Sequence, residues 1–377
     1  MANTITEVTP QLLAQGLLAL RQNALLPRLV SADYQGLAEE LGNVINIPVP
    51  SALTARAVTA GVAYVTSTDV APTKVAVTLD RWREAAFHMS DNDIVSVMNG
   101  TIPMQASEAI KALANDIDTF IIDNHVDLYS FTGTAGTTPF ASNISAAGTA
   151  RKLLNKELAP IDDRRVVLDP EAENNALQLS NILQFDQRGD QEGIIRGVIG
   201  TKLGMDWYMD QNMPTFTPGT GWATGYSAST VAGAVGDTTL QITNTTASGT
   251  VKVGDLFTFS SQTYTVTAAA TASATVPFAI TFTPALRAAV ATGAAITVVG
   301  TAYTVNLVFH RTGFAWASRP LADLAAPGSV IERVTDPISG VAFRLEFSRQ
   351  YKLSTFSYDY LGGTNTIRAQ FGAKILG

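Results

Sequence analysis

The hydrophobic positions of this 377-residue chain change period several times, and each change marks an element. Near the start, Thr9 is placed to cap a helix and Pro10 to fill its first position, ahead of Leu12, Leu13, Leu17, Leu18 and Leu20. The spacing predicts a short apolar helix ending near Pro27, able to dock on its own core or on a neighbouring subunit. Val44-Ile45-Asn46-Ile47-Pro48-Val49 and Lys74-Val75-Ala76-Val77-Thr78-Leu79-Asp80 then alternate as half-exposed strands. Between them, residues 51–73 form a polar, small-residue connection, and two strands carrying a loop of that length make a projecting arm.

From 103 to 129 the period becomes helical. Ile110, Leu113, Ala114, Ile117, Ile121 and Leu128 fall on one stripe, whereas Lys111, Asn115, Asp118 and Asp127 lie off it. A helix of that span is about 40 Å long, a spine, and Asp118 is expected to tolerate replacement by alanine. Gly133-Thr134-Ala135-Gly136 reads as its stop, and a second helix is expected over 145–158. Arg164-Arg165-Val166-Val167-Leu168-Asp169-Pro170 is a buried strand ended by proline, leading into a helix through Leu177, Leu179 and Ile182.

The block 217–305 breaks this pattern, for it is rich in Thr, Ala and Gly and carries only four charged residues, Asp237, Lys252, Asp255 and Arg287. Short β-type runs follow one another at 238–243, 256–259, 263–267, 279–283 and 295–299, and Gly236-Asp237 and Gly254-Asp255 supply turns among them. The pattern predicts a small antiparallel barrel or sandwich inserted where two host segments lie close together, with Leu240, Ile242, Leu256, Phe257, Phe259, Tyr264, Val266, Ile280, Phe282, Ile296 and Val298 filling its core. Strand-like runs resume at 305–309, 343–347 and 354–360, so the expected fold class is α+β, with a host sheet completed from both sides of the insertion.

Composition changes this picture little. The net charge of −7 and the lack of a Lys/Arg cluster argue against a broad nucleic-acid-binding face. The absence of cysteine removes disulfides, thiolate metal sites and thiol nucleophiles together. Neither a basic-then-apolar leader nor a run of about 20 apolar residues is present, and a soluble chain made in the cytoplasm is expected.

Candidate chemistry is sparse. His88, His125 and His310 share no zinc-binding spacing and are expected to sit at the surface or in local hydrogen bonds. Gly133-Thr134-Ala135-Gly136-Thr137-Thr138 lacks the Gly-Lys-Ser/Thr of a phosphate loop. The carboxylates Asp186, Asp190 and Glu192 miss the calcium-loop spacing and have Arg188 among them. Gly225-Tyr226-Ser227-Ala228-Ser229 is no nucleophile elbow, and Asp91 and Asp93 fit the first turn of a helix. No catalytic, cofactor-binding or metal-binding residue is nominated, and no cofactor is expected.

The order of parts resembles the major capsid (coat) proteins of tailed double-stranded-DNA bacteriophages, most closely the short-tailed Salmonella-phage branch, whose coat carries an inserted β-barrel. The resemblance is carried by Ala112-Leu113-Ala114-Asn115-Asp116-Ile117, Asp169-Pro170-Glu171, Val253-Gly254-Asp255-Leu256-Phe257-Thr258-Phe259, Asn306-Leu307-Val308-Phe309-His310 and Ala317-Ser318-Arg319-Pro320-Leu321. One departure is that 219–235 is short and nearly uncharged, where similar coat proteins carry a long polar loop reaching a neighbouring capsomer.

The resemblance implies the tailed-phage capsid fold, also called the Johnson fold. It divides the chain into an N-terminal helical arm (1–42), an extended loop arm (43–82), a peripheral domain with the spine helix (83–142), an axial domain (143–215), the inserted β-barrel (216–305) and return strands (306–377). It further implies a non-enzymatic virion protein, assembled in the host cytoplasm as hexamers and pentamers with scaffolding and portal proteins, that encloses DNA without reading its sequence. Rival readings are a bacterial nanocompartment shell protein, a tail or decoration protein, and a hydrolase.

Overall fold

The computed structural model describes residues 24–34, 43–50, 53, 55, 72–92, 101–183, 196–222, 227–228, 233–243, 248–273, 276–322, 329–336 and 338–377. The expected N-terminal helix and nearly all of the 51–73 connection lie outside these residues. In chain order the elements are α1 (Leu26–Leu29), β1 (Val44–Val49), β2 (Thr73–Thr78), β3 (Arg81–Ser90), α2 (Thr101–Ile122), β4 (Ser130–Gly133), α3 (Ser145–Lys156), β5 (Arg164–Leu168) and α4 (Pro170–Gln178). They continue as β6 (Thr201–Lys202), β7 (Met205–Met209), β8 (Thr215–Phe216), β9 (Ser227–Ala228), β10 (Thr239–Thr243), β11 (Gly249–Val251), β12 (Leu256–Phe259), β13 (Gln262–Ala268), β14 (Ala270–Ala272), β15 (Phe278–Thr283) and β16 (Thr297–Val298). The chain closes with β17 (Tyr303–His310), β18 (Phe314–Arg319), β19 (Ser329–Thr335), β20 (Ala342–Gln350), β21 (Leu353–Thr366) and β22 (Gly372–Leu376). The architecture is mixed α/β, and the chain divides into two compact units.

The first unit comprises 1–22, 31–113 and 315–367. Strands β1 and β2 pair antiparallel from Val44↔Thr78 to Val49↔Thr73, as their matched alternation requires. Their inward residues Ile45, Ile47 and Val77 pack with Leu79, Ala315, Ala317 and Leu361. A five-stranded sheet runs β18-β21-β20-β19, with β3 pairing β21 over ten residues. Aromatic side chains bind it across the strands, Phe356 standing 5.1 Å from Phe87 and 5.0 Å from Phe347. Arg344 grips its register partner Asp359 through two hydrogen bonds of 3.0 and 2.5 Å, and Trp82 Nε1 donates to the same carboxylate.

The second unit comprises 23–30, 114–314 and 368–377. Its seven-stranded sheet runs β4-β22-β17-β5-β7-β6, with β8 beside β17. One face carries Val166, Leu168, Val308 and Ile375, and on it pack Ala147, Ala150 and Leu154 of α3 and Ala172 and Ala176 of α4. The small residues on both helices let them lie close against the strands. Asp169 caps α4, its carboxylate accepting from the N–H groups of Glu171 and Ala172, and Pro170 occupies the first turn.

Three sequence expectations need correction here, one being that the helix expected through Leu177, Leu179 and Ile182 ends at Gln178, with Leu179 extended ahead of a separate short helix over Ser180–Leu183. The helix predicted over 103–129 ends at Ile122 and tightens into a 3-10 turn over Asp123–Asp127, so α2 has 22 residues, about 33 Å. The Gly133 segment stops a strand instead of a helix: β4 pairs parallel with β22, and a Cβ on Gly133, whose φ is +94°, would meet Leu376 O at 2.6 Å.

Between β8 and β17 lies a β-rich block with its own core. Phe257, Tyr264 and Phe282 stand 5.3–5.5 Å apart at its centre, with Leu240, Ile242, Val266 and Ile280 around them. Its six-stranded sheet runs β16-β12-β13-β15-β10-β9, and β11 and β14 form a separate ladder. No ladder joins β16 to β9 among the described residues, so hydrogen bonds do not close these strands into a ring. The block leaves and rejoins the sheet at paired neighbours, Phe216↔Tyr303 and Thr215↔Thr304.

Candidate functional site

None of the chemistry-bearing residue types noted in the sequence assembles into a reaction centre among the described residues. His88 is exposed on β3. His125 and His310 are buried, His310 Nδ1 lying 2.8 Å from Thr312 Oγ1 and accepting from the Thr312 N–H. No group of three His, Cys, Asp or Glu able to hold a metal occurs among the described residues. Asp91 forms a 2.9 Å ion pair with Arg349, while Asp93, Asp186, Asp190, Glu192, Gly225, Tyr226 and Ser229 lie outside the described residues. The polar groups that the fold does concentrate are structural joints.

The first joint holds α1 and the residue before it. Asp118 was expected off the apolar stripe of α2, yet it is buried, and its two oxygens accept from the N–H groups of Leu25 at 3.1 Å and Leu26 at 2.9 Å. Burial, reinforced by nearby Asp210, raises its pKa to about 7 against the pull of those two donors. Arg165 completes the clamp by donating to the carbonyls of Arg28 and Leu29.

The second joint lies where the β-block meets the sheet. Gly254 has φ +91°, and a Cβ there would come within 2.9 Å of Val126 and 3.3 Å of the Phe216 ring. Thr265 Oγ1 donates to Val126 O at 3.0 Å, which explains one buried threonine on a strand whose other threonines lie nearer solvent. Asp255 is fully buried and accepts from Gly219 N, Lys252 N and Trp222 Nε1, the last at 2.6 Å, so one carboxylate ties the 219–222 segment to its own turn. At the outer edge, Arg287 makes a bidentate pair with Glu157 at 2.6 and 2.7 Å, and Tyr129 donates to the same carboxylate. Burial raises the pKa of Glu157, but the bonds from Arg287 and Tyr129 outweigh it and leave the carboxylate below its ordinary value.

Behind this joint sit Lys374 of β22 and His125 of the 3-10 turn. Burial lowers the pKa of Lys374 to about 7, although Asp127 and Asp255 pull the other way. Burial, with Lys374 adding to it, holds His125 down to about 3. A histidine neutral in the fold and protonated in the unfolded chain favours unfolding as pH falls, so its contribution to stability is complete above about 6.5 and lost towards 3. His125→Leu is therefore expected to flatten the acid limb of stability against pH between those values. Parallel limbs for the two proteins in denaturant titrations would rule this out.

No protein-family model matches the chain, and no curated protein does. Solved structures do. The chain aligns with one of Mycobacterium phage Che8 over 93% of its own length and 90% of that chain, at 18% identity and a TM-score of 0.54. It aligns with a chain of the capsid structure of the cyanophage P-SCSP1u over 94% of itself and 88% of that chain, at 12% identity and a TM-score of 0.52. The fold is that of a phage capsid chain. At such low identity the fold is what the two likenesses establish.

Signals for the joints were scarce in the sequence. Asp118, Arg287, Glu157 and Lys374 are single charged letters, and their partners in the fold come from distant segments. Only the Gly254-Asp255 turn carried a local cue, its glycine at positive φ and its aspartate closing the turn through Lys252 N.

Proposed function

We propose that this chain is the major capsid (coat) protein of a tailed double-stranded-DNA phage, self-assembling as hexamers and pentamers into an icosahedral shell around packaged DNA. The single observation that carries this reading is the likeness to phage structures across more than nine-tenths of the chain. In this reading α2 is the spine helix, the connection between β1 and β2 is the arm laid over the next subunit, and the sheet bearing α3 and α4 belongs to the axial domain. The β-block is then the inserted domain of the Salmonella-phage branch, and its exit and return on paired strands suit an insertion. The domain limits given by the resemblance, the scaffolding and portal partners, virion location and assembly in the host cytoplasm belong to the same proposal. So does a structural, non-enzymatic role.

Expressed with its scaffolding partner, the protein is expected to give closed shells, and alone to give aberrant shells and rings, by negative-stain microscopy. A strictly monomeric protein by light scattering at every concentration, with and without that partner, would sink the reading.

A further inference from the structure

Three buried polar atoms gather at the root of the β-block, and none has a hydrogen-bond partner among the described residues: Lys374 Nζ, His125 Nε2 and Tyr303 OH. Strand register and ring contacts relate the three side chains. Lys374 is the register partner of Leu307 on β17, so it shares a sheet face with Tyr303 two pleats earlier and points away from α3 and α4. The Phe216 ring stands 5.6 Å from His125 and 5.5 Å from Tyr303, bridging the two. Lys374 acts electrostatically on His125, and Asp255 acts on both Lys374 and Tyr303.

The chemistry of the three atoms selects their ligand. His125 Nδ1 lies 3.0 Å from Ile122 O, and a carbonyl can only accept, so Nδ1 carries the ring proton and Nε2 of the neutral ring offers a lone pair. Lys374 Nζ is a donor, and Tyr303 OH can serve in either role. A ligand here must therefore donate to the histidine and accept from the lysine. An anion would face the Nε2 lone pair and the carboxylates of Asp127 and Asp255, and a metal cation would face the lysine. Water meets both demands and is small enough for a closed interior.

We propose that the root of the β-block encloses a buried hydration site in which water bridges Lys374 Nζ, His125 Nε2 and Tyr303 OH, and that this site couples the block to the strands that carry it. It holds whichever function the chain performs, since it rests on the joint alone. Asp255 links it to the block's own network, because the same carboxylate receives Gly219, Lys252 and Trp222. Disturbing the water is thus expected to loosen the turn at Gly254 and its bonds to Val266 before it touches the far strands β10 and β15.

Two measurements on the full chain test this. A density map at about 2 Å resolution or better is expected to show at least one ordered water at ordinary hydrogen-bond distance from Nζ and from one of the other two atoms. An amine bonded directly to Asp127 or Asp255, with no water between the three atoms, overturns the proposal. In hydrogen exchange, Lys374→Met is expected to lower protection of the Gly254 and Val266 amides by roughly tenfold or more relative to those of Leu240 and Ile280. Tyr303→Phe, which removes one oxygen and keeps the ring, repeats the test if the lysine variant does not fold. Unchanged protection at the root in every variant that folds overturns the coupling.

Discussion

Ile117→Asp is expected to abolish soluble folding, and Asp118→Ala, one residue on, to weaken the protein without destroying it. Ile117 is completely buried on the apolar stripe of α2, so a carboxylate there would be sealed from water with no partner, a change costing several kcal/mol. Asp118 is nearly as buried, but its carboxylate already has a task, and alanine would strand the Leu25 and Leu26 N–H groups at a cost of about 1–3 kcal/mol. Asp118→Asn keeps an acceptor and is expected to fall between wild type and Asp118→Ala. Because the folded pKa of Asp118 is raised to about 7, its contribution is greatest below about pH 4 and declines as pH rises through 7, so the gap between wild type and Asp118→Asn should narrow over that window. Denaturant midpoints decide the matter: an Asp118→Ala midpoint equal to wild type would mean that the clamp on α1 holds nothing.

The second large effect is expected in the β-block. Phe257 is fully buried, with Tyr264 at 5.3 Å, Phe282 at 5.5 Å and Trp222 at 6.3 Å, and Phe257→Ala should destabilise the block by about 3–5 kcal/mol through lost burial and the cavity left behind. Thr239→Ala, at an exposed position of β10, is expected to stay within about 0.5 kcal/mol. The block has a core and an internal Asp255 network of its own, so the loss should appear first as faster amide exchange in β12, β13 and β15. Equal exchange in the two variants would contradict a core centred on Phe257.

The elements that could be read ahead of the structure are those whose burial is one-sided and regular. The stripe of α2 is buried at Ile110, Leu113, Ala114, Ile117 and Ile121, as its spacing predicts. Short runs of alternating Thr and apolar residues became β10, β12, β13 and β15, because period-2 alternation has few other uses. Ten of the eleven residues expected in the block's core are buried, and Val298 is half-buried on the edge strand β16. Strand β3 is not legible in the sequence because none of its residues is fully buried and Arg81-Trp82-Arg83-Glu84 shows no alternation; its ladder to β21 holds it in place. The end of α2 was overestimated since Val126 and Leu128 continue an apolar spacing that the 3-10 turn and the following extended residues use differently. No metal, cofactor or catalytic residue was nominated for the candidate site, and its joints were not legible as such.

By itself, then, the sequence determined the local conformations with strong periodicity, the caps and turns at Asp169-Pro170 and Gly254-Asp255, and the apolar makeup of the block's core, all of which depend on residues close together in the chain. The tertiary structure alone decided strand order, the parallel pairing of β4 with β22, and the burial of Asp118, Asp255, His125 and Lys374. The physical reason is that segments distant in sequence pack over these side chains, and for Asp118 and Asp255 they also supply hydrogen-bond donors. Leu26 reaches Asp118 across 92 residues and Arg287 reaches Glu157 across 130, separations over which no local pattern in the chain carries information.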